Sequence, residues 1–443
     1  MMVCWFNFQA FGAPMKSENL ITHSIDLLKS GQHLELLKEV KKIAPDSEEY
    51  PTALVIQTFC LIKEEKAIPA IELLEKAGEI SKEKTLAAYE VISRELFPAL
   101  TEDQKYYAEE YFGEELPPRA SSETVINYDY YYRRADMFYK EGRDYENLPD
   151  SVYRVNFGLC DITIALMLSE DTSEAFLLRH DLWGNNDIVL ENDEWEISSL
   201  AADDFFRAKL EGKKDINVDD IYDYAYLLYF AARSKEALAY SQILEKKNYN
   251  PLQLNRLLSH CHTSLDQHEN TVINLNIVLA IYSENAEDYT DTDRAIILLD
   301  RGQSYFQLKE YDKALKDANR AYELDKFSDE ELYRIKSFSE DLKIQSMLRL
   351  GQLDEVEDLI NNKEKASDKK GIILLRAQYY SEIGDYQNAK EGFIYFINNS
   401  EIRLAHIHEE LAEVYEALGE TQQAKQHQEK AKEIEATKRY LFD

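Results

Sequence analysis

Glycine and proline are scarce in this chain, 14 and 9 among 443 residues, too few to supply the turns of a large β protein. Leu, Ala, Glu and Lys dominate instead, and these are good helix formers, so the expected fold class is all-α. Cysteine is scarcer still. Cys4, Cys60, Cys160 and Cys261 lie far apart with no CxxC pair, which argues against a disulfide framework or a cysteine zinc site and fits a reducing, cytoplasmic setting. Positive charge is also short, with 51 basic against 84 acidic residues and a net charge of −33. A field of that sign repels phosphate and anionic lipid, so neither nucleic acid nor membrane is an expected partner. No run of residues reaches the roughly 20 apolar positions that a membrane-spanning helix needs. Residues 1–14 are apolar and aromatic but lack the basic start and small-residue cleavage site of a signal peptide. They read as a leader or tag-like segment, with Met15, just ahead of Lys16-Ser17-Glu18-Asn19, as the expected true start.

The motifs of common catalytic sites are missing too. There is no P-loop, GxGxxG, GxSxG or HExxH, so no catalytic, cofactor-binding or metal-binding residue is assigned and an enzyme is not the expected reading. His260-Cys261-His262 has the residue types of a metal site, but neighbours on a helix point about 100° apart and cannot converge on one ion. His406 and Glu410 lie one helical turn apart, a spacing that a surface hydrogen bond explains. His180-Asp181 precedes Asp187, Glu191, Asp193 and Glu194, whose spacing does not match an EF-hand loop and which read as a solvated acidic loop. In Tyr128-Asp129-Tyr130-Tyr131-Tyr132-Arg133-Arg134, consecutive side chains on a helix face all round, so aromatic filling between helices is the expectation there.

What the chain has in quantity is internal repetition. At 443 residues it exceeds a single core, so it is several domains or one quasi-linear array. The clearest stretch is Ile296 to Lys326, where Gly302, Tyr305, Tyr311, Ala314, Ala318 and Ala321 recur at fixed helical offsets. Gly302 and Ala314 are small where two antiparallel helices would press closest, and Leu308-Lys309-Glu310 makes the turn. This pattern resembles the tetratricopeptide repeat at nearly every signature position except the final proline, occupied here by Lys326. The offsets return with Ala377, Tyr380, Gly384, Tyr386, Ala389 and Phe393, and again with Ala412, Tyr415, Gly419, Ala424 and Ala431. A degenerate unit through Ile344, Met347, Gly351, Leu353 and Val356 lies between. Units around Ala225 and Ala237, Ser259 and Thr271, Leu27 and Leu36, and Thr58 and Ala70 extend the resemblance toward both ends.

The resemblance implies an all-α superhelical array, an α-solenoid of helical hairpins with a degenerate middle section. The expected division is 15–116 for amino-terminal hairpins, 117–217 for a degenerate helical region with an inserted loop at 184–196, and 218–443 for a carboxyl-terminal array. It further implies that the first helix of each hairpin lines a concave side. Carried onto this sequence, those concave positions are Tyr222, Tyr226 and Tyr229, then Arg256 and His260, then Gln303 and Phe306, then Gln378, with Glu409, Glu413 and Glu416 in the last unit. Tyr222, Tyr226 and Tyr229 follow an i, i+4, i+7 stripe, apart from the packing stripe of Ile221, Ala225, Leu228 and Ala232. The expected function is a protein-interaction scaffold that holds a segment of another protein, one with a basic stretch to match the acidity. A peptide-responsive regulator, or an enzyme with a small site within 117–217, are the alternatives.

Overall fold

The computed structural model describes residues 17–96, 127–144, 151–169, 172–184, 194–285, 289–324, 330–366, 369–399 and 405–442. Their regular structure is helical throughout, and the fold is an α-solenoid of antiparallel hairpins following one another in chain order. The segments 1–14, 117–122 and 185–193, which the sequence marks as leader, linker and most of an insertion, lie outside the described residues. The chain forms two compact units, Met1–Ile216 and Asn217–Asp443. No described helix is long and apolar enough to cross a membrane.

In the first unit the helices are α1 (Ser17–Lys29), α2 (His33–Val40), α3 (Tyr50–Lys63), α4 (Ala67–Leu96), α5 (Tyr128–Asp144), α6 (Ser151–Leu168), α7 (Ser173–Gly184) and α8 (Glu194–Lys209). The second unit begins with α9 (Val218–Phe230), α10 (Ser234–Lys246), α11 (Pro251–Ser264), α12 (His268–Glu284), α13 (Asp291–Gln307) and α14 (Tyr311–Leu324). It continues through α15 (Glu330–Arg349), α16 (Leu353–Ala366), α17 (Lys369–Glu382), α18 (Tyr386–Asn399), α19 (Ala405–Ala417) and α20 (Thr421–Phe442).

One turn makes most of these hairpins. At the end of α13, Lys309 takes a left-handed φ of +61°, and the Glu310 N–H reaches back to the Tyr305 carbonyl at 2.8 Å. This closure satisfies a carbonyl that the helix end would orphan and reverses the chain within three residues. The same i to i−5 bond closes the turns at Gly31, Glu65, Ala232, Asp266, Gly351, Gly384 and Gly419, each with positive φ. Glycine holds that conformation without a Cβ clash; the other four residues accept some strain to hold it. Helix starts are set by short polar side chains, as with Asn250, whose Oδ1 accepts from Leu252 and Gln253, and Thr290, which forms a reciprocal box with Asp293.

Small residues then decide how closely the helices approach. A Cβ at Gly302 would come within 2.8 Å of Leu342 Cδ2 and 3.3 Å of Asp317 Cβ, and one at Gly392 would meet the Ala377 Cβ at 2.7 Å. Ala314 is completely buried beside the first contact, so α13, α14 and α15 lock where the repeat pattern is clearest. Arg301 straps the same place, its guanidinium gripping both oxygens of buried Asp317 at 2.7 Å.

The degenerate middle holds together differently. Helix α4 breaks at Ser81, which has extended φ and ψ and whose Oγ accepts from the Lys84 N–H. Beyond the break Tyr89 is fully buried and donates to Asp161 Oδ1 on α6 at 2.8 Å. Arg134 on α5 meets Asp161 with two nitrogens and sits against the rings of Tyr130, Tyr131 and Phe157. Arg179 on α7 makes a second bidentate pair with Asp204 on α8, both contacts 2.8 Å, and adds Glu75 at 2.7 Å. Buried ion pairs and aromatic rings thus do here what small residues do elsewhere. The Tyr128–Arg134 run fills the core as expected, with Tyr130 and Tyr131 buried and Tyr128 stacked on Tyr132.

Candidate functional site

In the second unit the first helices of successive hairpins face a common space. Helices α13 and α15 touch each other, as do α15 and α17. Together with α19 they line a groove of about 910 Å³. Side chains point into it because first helices bury one face against their own second helices and leave the other free. Of the residues carried over from the repeat pattern, Gln303, Phe306, Gln378, Glu409 and Glu413 line this groove. Glu416 does not, and instead accepts from Gln428 at 2.8 Å.

The groove has an apolar floor and an acidic rim. Phe338 is 60% exposed, the most exposed large apolar side chain among the described residues, and Ile296 is 37% exposed. Around them stand Asp300, Asp341, Glu409, Glu410 and Glu413 against Lys309 and Arg349. Asp341 is paired with Lys363 at 2.7 Å and Arg349 with Glu410 and Glu382. Among the described residues, Asp300, Glu409 and Glu413 form no ion pair.

Tyr222, Tyr226, Tyr229, Arg256 and His260 lie outside the groove lining but are gathered together on α9 and α11. Tyr222 stacks on Tyr249 at 5.1 Å and faces Tyr226 at 6.0 Å; Tyr229 stacks on His260 at 5.3 Å. Phe230 closes the series against Tyr226 at 4.8 Å, and both remain open to solvent. The separate packing stripe of Ile221, Ala225, Leu228 and Ala232 is buried. Asp300 links this ladder to the groove, since its charge acts on Tyr229 and the Arg256 charge acts on it.

Crowding by protein in the concavity pushes the Asp300 carboxyl up to about 6, with Arg256 only partly offsetting it. The folded carboxyl therefore keeps its proton to higher pH than the unfolded one, near 3.8. Ionising Asp300 between those values weakens the fold as pH rises, the reverse of a salt-bridged aspartate. Because Asp300 also keeps surface in solvent, which screens its charge, Asp300→Asn is expected to raise the melting temperature only slightly at pH 7.5 and to leave it unchanged below pH ~4. An equal gain at both pH values would show that the charge is not the cause.

Register reasoning passed over three groove features. Phe338, Asp341, Gln345 and Arg349 form an i, i+3, i+7, i+11 stripe on α15, which the spacing test applied to α9 would have found. His406 and Glu410, read as an incidental surface pair, both line the groove, and Glu410 bonds Arg349 and Gln378. Elsewhere the sequence's chemical clusters come apart. His260 stacks on Tyr229, Cys261 is buried with its thiol pushed up to about 12, and His262 faces Gln267 at 2.7 Å. His180 Nδ1 lies 2.8 Å from the Ala201 carbonyl, a structural contact.

Hairpins closed by one recurring turn, stacked so that first helices of the second unit share a groove, define a helical-repeat array. Two segments match family models of the tetratricopeptide repeat, residues 295–327 and 405–438. Over those two segments the chain carries tetratricopeptide repeats. Solved structures similar to it include a tetratricopeptide repeat protein from Parabacteroides merdae, 18% identical, with a TM-score of 0.46 over 61% of this chain and 97% of that one. The apo form of RapI is 13% identical, with a TM-score of 0.40 over 87% and 98% of the two chains. The tetratricopeptide domain of P58(IPK) is 12% identical, with a TM-score of 0.26 over 92% and 99%. No curated protein matches in a sequence comparison.

Proposed function

We propose that the second unit holds a segment of another protein in the groove of α13, α15, α17 and α19, with apolar side chains against Phe338 and Ile296 and basic ones toward the acidic rim. The observation that carries this reading is Phe338, a large ring left 60% exposed at the floor of a concave surface. Exposed apolar patches rimmed by polar groups are the usual mark of a binding surface. The unpaired Asp300, Glu409 and Glu413 argue that the occupant brings positive charge. The ladder of Tyr222, Tyr226 and Tyr229, with Arg256 and His260, extends this surface toward the amino-terminal side of the unit. Tyrosine suits that task because it adds contact area at little entropic cost and ends in a polar tip.

A random peptide library displayed on phage and panned on the intact chain tests the reading. Recovered peptides, synthesised and titrated, are expected to lose more than about 1 kcal/mol of affinity to Phe338→Ala, as a central anchor does. The Tyr226→Ala, Tyr229→Ala double variant should fold, by circular dichroism, and bind longer recovered peptides less well. Undiminished binding by Phe338→Ala would place recognition outside this groove, and unfolding of the tyrosine variant would make the ladder a packing element.

A further inference from the structure

At its carboxyl-terminal end the groove deepens into a recess of about 230 Å³ walled by Arg349, Gln378, Glu382, Tyr386, Glu410 and Glu413. Four helices meet here, and their polar side chains are partly committed to one another. Arg349 bonds Glu410 and reaches Glu382 at 2.9 Å, and the Gln378 amide nitrogen donates to Glu410 Oε2, also at 2.9 Å. The other end of that amide has nothing. Gln378 is only 7% exposed, and its Oε1 has no hydrogen-bond partner. A buried carbonyl oxygen without a donor loses its hydration and gains nothing in return, which is why such atoms are rare and call for an explanation.

The charges around this oxygen narrow what it waits for. Glu382, Glu410 and Glu413 wall the recess beside a single guanidinium, and Arg349 is already shared by the first two. Partial desolvation first, and Glu410 next, lift the carboxyl of the otherwise exposed Glu413 above its usual range, as expected where negative charge is crowded and short of a partner. An anionic ligand would meet more carboxylates than cations. A neutral donor such as water would satisfy Oε1 and leave the excess charge in place. A cationic nitrogen does both at once, because ammonium and guanidinium groups carry several donors and no acceptor.

Building on the groove reading above, we propose that this recess takes the side-chain cation of a lysine or arginine in the bound segment, which donates to Gln378 Oε1 and pairs with Glu413. The site is a second specificity element, separate from the Phe338 floor. The floor selects for bulk and the recess for charge, so together they fix the direction and register of the bound segment.

The test uses the intact chain and the peptides recovered by display, remade with an acetylated or a free amino terminus and with lysine, arginine or norleucine at the shared basic position. Norleucine is expected to weaken binding to the parent about tenfold, the scale of a charge-assisted contact. In Glu413→Gln the lysine peptide should lose the same factor and the norleucine change should cost nothing further. Gln378→Leu should behave alike; Glu413 is solvent-exposed, so Glu413→Gln carries the test even where Gln378→Leu fails to fold. The lysine and arginine arms show which cation fits better. Three results overturn the proposal: no shared basic position, a norleucine loss as large in Glu413→Gln as in the parent, or a loss on acetylation in place of norleucine. With Phe338→Ala still defective, those results leave the groove reading standing and remove the recess alone. Binding that ignores Phe338 removes both.

Discussion

Asp161→Asn is expected to destabilise the first unit by roughly 3 to 5 kcal/mol, because it leaves the guanidinium of Arg134 buried without its counter-charge. Asp161 is completely buried and Arg134 is 3% exposed. Burial lifts the Asp161 carboxyl above its usual range while Arg134 and the Tyr89 hydroxyl act to lower it. Neither partner has water to fall back on once the other is lost. Replacing both, Arg134→Met with Asp161→Leu, should cost much less than the single change, since no charge is stranded; the Tyr89 hydroxyl then loses its acceptor, at about 1 to 3 kcal/mol. Urea denaturation followed by tryptophan fluorescence reads this directly, because all three tryptophans of the sequence precede residue 217 and Trp183 is buried in the first unit. A loss for Asp161→Asn no larger than for the double replacement would show that the pair is not what holds α5 and α6 to Tyr89.

Ala314→Leu tests the other unit. Ala314 is fully buried, its carbonyl lies 3.5 Å from where a Gly302 Cβ would stand, and Leu342 and Asp317 crowd the same point. Three more carbons there force α13, α14 and α15 apart or drive side chains off their rotamers, at about 1 to 3 kcal/mol. Lys313, the neighbouring residue, is exposed, pairs with Glu310 at 2.6 Å and lies over the Tyr305 ring. Lys313→Ala should leave the melting temperature near that of the parent, since exposed pairs contribute little. Thermal melts by circular dichroism compare the two, and equal losses would mean that the hairpin register is misplaced.

How much of this was legible depended on what the sequence had to spend to make each feature. Close helix contacts demand small residues, so Gly302, Ala314, Ala377 and Ala389 announced the array from their spacing alone. From that register Gln303, Phe306 and Gln378 fell on the groove without further information. Phe338 was missed because α15 has lost the small residues that set the register, and Leu342 presses on Gly302 from that helix. The turn residues were only half legible. Gly351, Gly384 and Gly419 mark left-handed positions plainly, but Lys309, Asp266, Ala232 and Glu65 adopt the same conformation without advertising it. In the middle section Asp161 is the one acidic residue in a mostly apolar helix, a hint that it needs a partner. Its partner Arg134 lies on another helix, and single-sequence periodicity carries no information about pairs between elements. The unpaired Gln378 oxygen could not be read at all, because it is a property of what surrounds the side chain and not of the side chain.

The eight described hairpin turns closed by one kind of bond have a bearing on how such a protein can change. Their geometry is held by main-chain atoms, with glycine, alanine, lysine, aspartate and glutamate all serving at the left-handed position. The hinge between paired helices is thereby insulated from the amino acids on their exposed faces. Substitutions that re-line the groove for a different occupant leave the angle of the hinge alone, so the ligand-facing surface can diverge quickly while the frame that presents it stays the same.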